Sequence, residues 1–516
     1  MSVFAYDSSM DTTPNADQPT PSESLAGQMV SNAREAQPDW EALPLANRLE
    51  IANRVRGLLA QRADDLCQMA SKELGKSGQD TLSADILPLA EACKYLKRHA
   101  KRILATRRIS RADTPWVLFG SKTTVERRAR GVVGIIGTWN YPYFLAGTQM
   151  IQALVAGNTV VFKPSEMAPG CAKLLVEIFQ MAGLPCGVLH ALPSEREFGT
   201  QLTSAPLNHL VFTGSLPVGR MVANSAAFQL VSSTLELSGC DPLLALDDAD
   251  PALVASSAWF GAVVNQGQTC VATRRVIATN GLLSRIEFEL ARFLDGVPPF
   301  RLVQPREGLK AYQLALEAVG QGARFIGPVP SLPSAETGCP PLVLANASPE
   351  MRICRESLFA PVLCLVPAKS EQELLKVEKA CPLSLGASVF SAVPARALAM
   401  ANRLRSPNIS INEVVISTGH PATPIVAKGL SGWGSTQGDE GLLELTEPRV
   451  IYQGPKKATA FRPHLGLVPK GRQLTPDMAP LLATMLGAKH HASFWQRWSA
   501  TCAFPFQAIR WMRAQK

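Results

Sequence analysis

Short β-branched runs alternate with helical segments from Val132 onward, and this alternation restricts the chain to few folds. The runs are VVGIIG (132–137), TVVFKP (159–164), VLHAL (188–192), HLVFTG (209–214) and SSTLELS (232–238). Repetition of strand and helix at this pace predicts an α/β fold with a parallel sheet and helices on its faces. Ligands of such sheets bind where the strands end, so we expect a nucleotide site there. The glycines of 131–137 follow GxxGxxG, which is a poor dinucleotide fingerprint.

The flanking regions predict helices before this sheet and a second α/β block after it. Residues 26–111 carry apolar residues at spacings of three and four, which predicts helices around Leu49–Ala60 and Ile86–Arg108. Pro88 falls in the first turn of the second helix, where proline is tolerated. After Cys240 the helical segment AWFGAVVNQGQ and the strand-like runs PVLCLVP and ASVFS predict the second block.

The composition argues against a metal site and a disulfide framework. The eleven cysteines include no CxxC pair and the seven histidines form no HExxH, so we expect neither, as is usual in a reducing cytoplasm. Apolar residues make up 46% of the 516 residues, which is enough for a sizeable core. The net charge is +9, with basic clusters at 94–111 and 127–130. No nucleic-acid-binding motif accompanies them, so we expect a solvated face and no nucleic-acid partner.

The two ends differ from the body of the chain. Residues 1–25 are rich in Ser, Thr, Asp and Pro and lack the apolar stretch of a signal peptide, which predicts a disordered tail. The basic extension 455–516 ends in an amphipathic helix at 489–516. One face of that helix carries Trp495, Trp498, Cys502, Phe506, Ile509 and Met512. This face predicts either peripheral contact with a membrane or docking on protein, and Pro505 is expected to interrupt the helix. We expect a cytoplasmic protein without a spanning helix, associated with membranes if the helix binds them.

Four segments together carry the functional signal. They are TWNYP (138–142), FKPSE (162–166), FTGSLPVG (212–219), and LEL (235–237) with NQGQTC (265–270). In this order and spacing they resemble the aldehyde dehydrogenase superfamily over residues 45–452, and TWNYP looks most like the branch of fatty and aromatic aldehyde dehydrogenases. Glu236 and Cys270 are 34 positions apart, as in that family. The resemblance implies an NAD(P)-dependent oxidoreductase that converts an aldehyde to a carboxylic acid and forms a homodimer or homotetramer.

The resemblance also implies three catalytic roles, each of which aldehyde oxidation requires. Cys270 would add to the carbonyl carbon as a thiolate and, after hydride loss, carry a thioester. The Asn140 side-chain amide and the Cys270 backbone N–H would stabilise the negative oxygen. Glu236 would act as the base for the water that hydrolyses the thioester. The residue types alone leave open a core cysteine, a helix-capping asparagine and a structural ion pair.

Further residues would hold the coenzyme according to the same resemblance. Lys163 and Glu166 would contact the adenosine ribose, and the Glu166 carboxylate would repel a 2′-phosphate, which favours NAD while leaving NADP possible. Gly214 would permit close approach of the pyrophosphate, to which the Ser215 hydroxyl and the following helix N-terminus would donate. Gly219 would permit tight packing of that helix.

Three segments depart from the family pattern. Near the end, the family's P-F-G-G is PIVA (424–427) here, although SGWG (431–434) follows as expected. The family's E-L-G-G-K is ELSGC (236–240) here. Its E-x-F-G-P is SLFAP (357–361), which keeps Phe359 for the coenzyme but lacks the glutamate that holds the nicotinamide ribose. Glu356 stands one position early and is expected to point elsewhere. Trp139 is expected beside the nucleotide or the substrate tunnel, unless it is a plain core residue. The missing carboxylate predicts weaker coenzyme binding or slower hydride transfer.

These observations predict a domain organisation and leave three functions open. We predict a disordered tail (1–25), a coenzyme-binding domain (26–236) with an oligomerisation hairpin (114–131), a catalytic domain (237–416), a return to the coenzyme domain (417–454) with a strand near 447–453 that joins a neighbour's sheet, and the extension 455–516. Hydrolytic aldehyde oxidation is the first hypothesis, and the retained Glu236 favours it. Transfer of the acyl group to coenzyme A is the second. A degenerate, non-catalytic binding or scaffold protein is the third.

Overall fold

A computed structural model describes residues 23–115, 118, 120–454 and 479–514. Most of the predicted tail 1–25 lies outside these residues, and the first helix already begins at Leu25. The described residues fall into two compact units, one within 1–105 and 127–449 and the other within 106–126 and 450–516.

The helices are α1 Leu25–Ala42, α2 Leu45–Gln61, α3 Ala63–Leu74, α4 Gly78–Thr81, α5 Leu87–Ile103, α6 Phe144–Ala156, α7 Pro169–Met181, α8 Arg196–Ser204, α9 Leu216–Phe228, α10 Pro251–Val263, α11 Asn280–Leu294, α12 Pro305–Gly320, α13 Glu371–Ala380, α14 Pro394–Ala401, α15 Gly438–Glu444, α16 Ala479–His490 and α17 Phe494–Ala514. A π-helical turn, Leu82–Ile86, joins α4 to α5. Short 3-10 turns lie at Val264–Gly267, Arg352–Cys354 and Ile416–Gly419.

The strands are β1 Arg107–Arg108, β2 Lys122–Ala129, β3 Val132–Ile136, β4 Thr159–Lys163, β5 Leu189–Ala191, β6 His209–Gly214, β7 Ser232–Leu237, β8 Asp241–Ala245, β9 Thr273–Thr279, β10 Arg324–Phe325, β11 Leu342–Ala345, β12 Val362–Ala368, β13 Gly386–Phe390, β14 Asn408–Ile411, β15 Ile425–Val426, β16 Gly432–Trp433, β17 Ser435–Thr436 and β18 Thr446–Gln453. Together these helices and strands form the predicted α/β fold.

The first sheet contains all five runs that the sequence marks as strands. Its order is β16-β7-β6-β3-β4-β5. Four pairings join β7, β6, β3, β4 and β5 in parallel, and β16 pairs antiparallel with β7. Ile136 lies opposite Lys163, and Gly214 lies opposite Leu237, so the four central strands end at one edge. Helices cover both faces, which explains why these strands are apolar throughout rather than alternating.

The second sheet follows directly in the chain and has the order β10-β11-β12-β9-β8-β13-β14. All its pairings are parallel except that of β10 with β11. Strand β8 begins four residues after the end of the Glu236-bearing strand, and β9 begins three residues after Cys270. The start of β8 at Asp241 pairs with the start of β9 at Thr273, so the segments before these two strands lie side by side.

The small third sheet corrects the predicted hairpin. Its order is β1-β2-β18, and β1 pairs antiparallel with β2. The strand that precedes β2 in the chain and pairs with it therefore lies at Arg107–Arg108, upstream of the predicted segment 114–131 rather than within it. Thr114 precedes a proline and Gly120 has φ +86, which favours a loop between the two strands. The late strand, predicted near 447–453, is Thr446–Gln453 and lies beside β2 of its own chain; its pairing with a neighbour stays a prediction.

The C-terminal helices α16 and α17 pack on each other, and α17 corrects one prediction. Helix α17 runs through Pro505 without a break, because a single proline removes one backbone hydrogen bond that the remaining turns can tolerate. Its predicted apolar face is solvent-exposed, with Trp495 73%, Trp498 59% and Phe506 75% accessible. The Met512 side chain lies outside the described atoms. Among the described helices, none combines the length and the hydropathy needed to cross a bilayer.

Gly432 allows the antiparallel strand β16 to reach the edge of the first sheet. It pairs with Glu236 on β7, has φ +111, and a Cβ there would lie 1.9 Å from the carbonyl oxygen of Leu235. Gly429, three residues earlier, also has positive φ (+63) but has nothing within 4 Å of a Cβ. Of these two positions, only Gly432 therefore requires glycine both for its backbone conformation and for the space around it.

We predict that Gly432→Ala destabilises the protein much more than Gly429→Ala. The positive φ alone costs about 1–2 kcal/mol at either position, whereas Gly432→Ala also forces the β16–β7 backbones apart. Chemical unfolding of both variants measures the difference. Equal losses of unfolding free energy would show that the two strands are not in this contact.

Candidate active site

A sharp turn delivers Cys270 to the region between the two sheets. Helix α10 ends before the NQGQ segment that the sequence predicted to be helical, because Asn265 and Gln266 have positive φ of 50° and 62°. Gly267 has φ +77, and a Cβ on it would lie 2.5 Å from the carbonyl oxygen of Ala360. Backbone conformations of this kind cluster at functional sites. Cys270 follows the turn and is only partly exposed.

Asn140 lies against this turn. The Asn140 Nδ2 donates to the carbonyl oxygen of Gln268 at 3.0 Å, and the Thr138 hydroxyl donates to Asn140 Oδ1 at 3.0 Å. The Gln268 contact fixes which end of the amide faces the turn, because a carbonyl oxygen can only accept. Since a side-chain amide has two N–H groups, one remains for a negative oxygen formed beside Cys270. The side chain is 4% exposed, so water competes little.

Glu236 is a buried carboxyl without a cation. Its Oε2 accepts hydrogen bonds from the hydroxyls of Thr213 and Thr436, each at 3.5 Å, while Oε1 is buried with no hydrogen-bond partner in the described structure. Burial raises the pKa of Glu236 to about 7. A carboxyl with this pKa is poised to accept or release a proton near neutral pH. Among the described residues Glu236 forms no ion pair, so the alternative that this glutamate serves a structural ion pair finds no support.

The backbone joins Glu236 and Cys270 across the two sheets. The Gly239 N–H donates to the carbonyl oxygen of Cys270 at 3.0 Å, just beyond the strand that carries Glu236. Burial, followed by the negative charges of Glu236 and Asp241, raises the pKa of the Cys270 thiol well above its ordinary value. The thiol is therefore protonated at neutral pH and needs a base to become a nucleophile. The structure brings Asn140, Glu236 and Cys270 together.

The edge of the first sheet carries the predicted ribose residues. Lys163 is 4% exposed, and its Nζ lies 3.8 Å from Glu166 Oε2. Burial is the main cause that lowers the pKa of Lys163. Glu166 Oε1 also contacts Arg196 Nε at 2.7 Å. Sequence reasoning missed Arg196, which lies 30 residues away and whose positive charge offsets the Glu166 charge expected to repel a 2′-phosphate.

Helix α9 begins at the same edge, where the sequence predicts the pyrophosphate site. Ser215 is the N-cap residue, is exposed, and makes no side-chain capping hydrogen bond, so its hydroxyl is available to a ligand. Gly214 and Gly219 both allow close packing, because a Cβ on them would lie 2.5 Å from Phe212 and Leu237 respectively. In this thirteen-residue helix Pro217 has no N–H, which leaves the N–H groups of Leu216 and Val218 in the uncapped first turn to suit a pyrophosphate.

The altered SLFAP segment faces the site through its phenylalanine. The rings of Trp139 and Phe359 are in edge contact, with centroids 5.8 Å apart and planes at 60°. Glu356 lies elsewhere, as expected, in ion pairs with Lys310 at 3.0 Å and with Arg352 at 2.8 Å. No carboxylate of this segment is therefore directed to the position of the ribose-binding glutamate.

Arg274, which sequence reasoning missed, fastens this segment to the turn at 264–270. We call this the nucleophile turn, after the predicted role of Cys270. Its guanidinium is 2% exposed and donates to the carbonyl oxygens of Leu358 and Ala360, both at 2.7 Å, and to that of Gly267. The sequence signal for this role is the pair of adjacent arginines, Arg274 and Arg275, in an otherwise apolar strand close to Cys270. In the described part of the chain no cluster of His, Cys, Asp or Glu fits a metal ion.

Comparisons with known proteins show the family to which the chain belongs. The model of the aldehyde dehydrogenase family matches residues 7–451. A 4,4′-diapolycopene aldehyde oxidase of Methylomonas sp is 32% identical over 83% of this chain and 82% of its own length. Betaine aldehyde dehydrogenase 1 of Rhizobium meliloti is 31% identical over 82% and 88%. A Mycobacterium tuberculosis aldehyde dehydrogenase complexed with NAD+ superposes with a TM-score of 0.77 at 27% identity, covering 84% of this chain and 92% of that one. Relatives whose names specify NADP(+) also match. The branch within the family stays a prediction.

The raised pKa of Glu236 predicts a pH-dependent contribution to stability. Between about pH 4.5, the ordinary value, and pH 7 the folded protein keeps a proton that the unfolded chain releases, so stability falls as pH rises through this window. Glu236→Gln should remove up to about 3 kcal/mol of that fall. Urea unfolding of both proteins from pH 5 to 8 tests this. If the unfolding free energies of the two proteins changed in parallel with pH, Glu236 would be ionised and solvated in the fold.

Proposed function

This chain belongs to the aldehyde dehydrogenase family of NAD(P)-dependent enzymes, and we propose that it oxidises an aldehyde to the carboxylic acid through a thioester on Cys270. The observation that carries the proposal is the meeting of three groups, since the Asn140 amide binds the turn of Cys270 and the Gly239 N–H, three residues after Glu236, donates to the Cys270 carbonyl oxygen. These residue types in this order supply a nucleophile, a donor to negative oxygen, and a base.

In the first half of the reaction Glu236 takes the thiol proton, and the Cys270 sulfur adds to the carbonyl carbon. The carbonyl electron pair moves onto oxygen, which the second Asn140 N–H and the Cys270 backbone N–H stabilise. A preorganised donor of this kind contributes roughly 3 kcal/mol to transition-state stabilisation. The carbon now bears sulfur, oxygen and hydrogen, and can release that hydrogen as hydride.

Bound NAD(P)+ supplies the hydride acceptor, and the residues present fit it. Lys163 and Glu166 would hold the adenosine ribose, and Ser215 with the α9 N-terminus would hold the pyrophosphate. Trp139 and Phe359 would form an apolar wall at the nicotinamide end. Since the SLFAP segment lacks the ribose carboxylate, this wall and Arg274 would position that end without a charge-assisted hydrogen bond.

Before the second half Glu236 releases the thiol proton to solvent, and it then removes a proton from water. The hydroxide attacks the thioester, the Cys270 thiolate leaves and takes the proton back from Glu236, and the acid is released. The buried Oε1, without a partner, supports this role, because a lone pair without a hydrogen bond is free to accept that proton. A pKa of about 7 lets the same group bind and release protons in each cycle.

We predict that Glu236→Gln gives one NADH per active site with an aldehyde and NAD+, and then stalls, because acylation can proceed slowly while hydrolysis lacks its base. Cys270→Ala should abolish NADH formation altogether. Rapid mixing read at the NADH absorbance, with an aliphatic and aromatic aldehyde panel, measures both. Cys186→Ala is the matched control, because Cys186 is exposed and should be dispensable.

The rival functions give different results in the same assay. Turnover by wild type that needs added coenzyme A, with acyl-coenzyme A as product, would favour acyl transfer over hydrolysis. A steady-state rate unchanged by Glu236→Gln would exclude its role in hydrolysis. No NADH with any aldehyde and either coenzyme would favour a non-catalytic homologue.

For the coenzyme we propose a preference for NAD over NADP, which is weaker than the sequence alone suggests. Glu166 provides the repulsion against a 2′-phosphate, and Arg196, at 2.7 Å, offsets it. Initial rates with each coenzyme measure the preference. We also propose a homodimer or homotetramer, which sedimentation equilibrium tests.

We further propose that the C-terminal extension binds an anionic membrane surface, bringing the enzyme to apolar aldehydes. The chain after Gly454 holds ten Lys and Arg residues against one Asp, a balance equal to the +9 of the whole protein. The exposed Trp495, Trp498 and Phe506 share helix α17 with exposed Arg497. Aromatic side chains beside arginine on one helix suit the interface of an anionic bilayer.

Deletion of residues 489–516 should abolish co-sedimentation with phosphatidylglycerol–phosphatidylcholine vesicles while aldehyde oxidation in solution persists. Trp495→Ser with Trp498→Ser should weaken binding, and Phe288→Ser, which changes an aromatic side chain 69% exposed in the body, should not. Vesicles of phosphatidylcholine alone should bind less, because the charge term is lost. Equal pelleting of full-length and deleted proteins would reject the membrane proposal.

A further inference from the structure

A buried ion pair lies beneath the segment that carries Asn140. The Lys76 and Asp85 side chains are 2% and 0% exposed, and Lys76 Nζ contacts Asp85 Oδ2. Asp85 belongs to the π-helical turn Leu82–Ile86, a rare element that is frequent at functional sites. Buried ion pairs often add no net stability, because removing two charges from water offsets their attraction. The other contacts of the pair therefore indicate its function better than its own attraction does.

Both members of the pair contact the chain around Asn140. Lys76 Nζ donates to the Asn140 carbonyl oxygen at 3.1 Å and lies 4.2 Å from the centre of the Tyr141 ring. Asp85 Oδ1 accepts the backbone N–H groups of Tyr143 at 3.3 Å and Phe144 at 3.0 Å. The pair thus holds this segment at the peptide group that directly follows the Asn140 side chain and again at the start of helix α6.

The same segment is tied to the nucleophile turn from the other side. The Asn265 Nδ2 donates to the Asn140 carbonyl oxygen at 3.0 Å, so that oxygen receives two donors. The Tyr141 hydroxyl contacts the Thr269 hydroxyl at 2.7 Å, one residue before Cys270. Loss of Lys76 would leave the Asn140 carbonyl with one donor and free the peptide to rotate.

We propose that Lys76 and Asp85 are positioning residues that hold the Asn140 amide where the negative oxygen of the thiohemiacetal forms. This inference rests on the proposed function of Asn140. Electrostatic stabilisation requires donors fixed within about 0.5 Å of their productive place. The pair acts through the Asn140 backbone and touches neither substrate nor coenzyme.

The test is a double-mutant cycle on the acylation rate, measured as the NADH burst. Lys76→Met combined with Asp85→Asn removes both charges together, so neither remains buried alone, and Asn keeps an acceptor for the two N–H groups. We expect this change to slow the burst by roughly 10²-fold, as loss of an oxyanion donor does. In an Asn140→Ala background the same change should slow it less than about threefold. Equal slowing in both backgrounds would overturn the proposal, because a general loss of structure is additive.

A matched control and a structural readout complete the test. Glu378, 1% exposed, is paired with Arg405 at 3.4 Å away from these residues, and Glu378→Gln should lower the unfolding temperature without slowing the burst. A crystal structure of the Lys76→Met, Asp85→Asn protein should show Asn140 no longer donating to Gln268. An unmoved Asn140 would overturn the proposal. If the wild type itself oxidises no aldehyde, the proposed function fails, while the crystal structure still decides whether the pair positions Asn140.

Discussion

Two hydrogen bonds fasten the nucleophile turn to the end of the first sheet, and the chemistry depends on both. The Asn140 amide donates to Gln268, and the Gly239 N–H donates to the Cys270 carbonyl. They hold a thiol, an amide and the Glu236 carboxyl together where burial and neighbouring carboxylates raise the pKa of the thiol and burial raises that of Glu236. Because a buried thiol with a raised pKa stays protonated, its reactivity depends on a base nearby.

The sheets were more predictable than the site, because the sequence patterns that indicate strands are local. Apolar β-branched runs separated by helical segments predict parallel strands buried on both faces, and β3, β4, β6 and β7 form them in register. The end of each strand then carries the motif residue that the sequence marked, at Lys163, Gly214 and Glu236. The relation of Glu236 to Cys270 came from resemblance, since spacing alone does not bring two sheets together.

Long-range contacts account for what the sequence did not predict. Arg274, Lys76 and Asp85 look like ordinary charged residues until burial removes water and directs them to backbone carbonyls and N–H groups. The first strand of the small sheet lies at Arg107–Arg108 because the backbone of these two residues pairs with β2, which their composition does not indicate. Helix α17 continues through Pro505, since the surrounding turns outweigh one missing hydrogen bond.

The central claim is that Cys270 carries the acyl group during oxidation. Mass spectrometry of peptides from the Glu236→Gln protein, quenched in acid after mixing with NAD+ and an aldehyde, addresses it most directly. The account predicts that the mass of the acyl group appears on the peptide containing Cys270, in proportion to the NADH formed. NADH formation with an unmodified Cys270, or with the acyl mass on another cysteine, would contradict it.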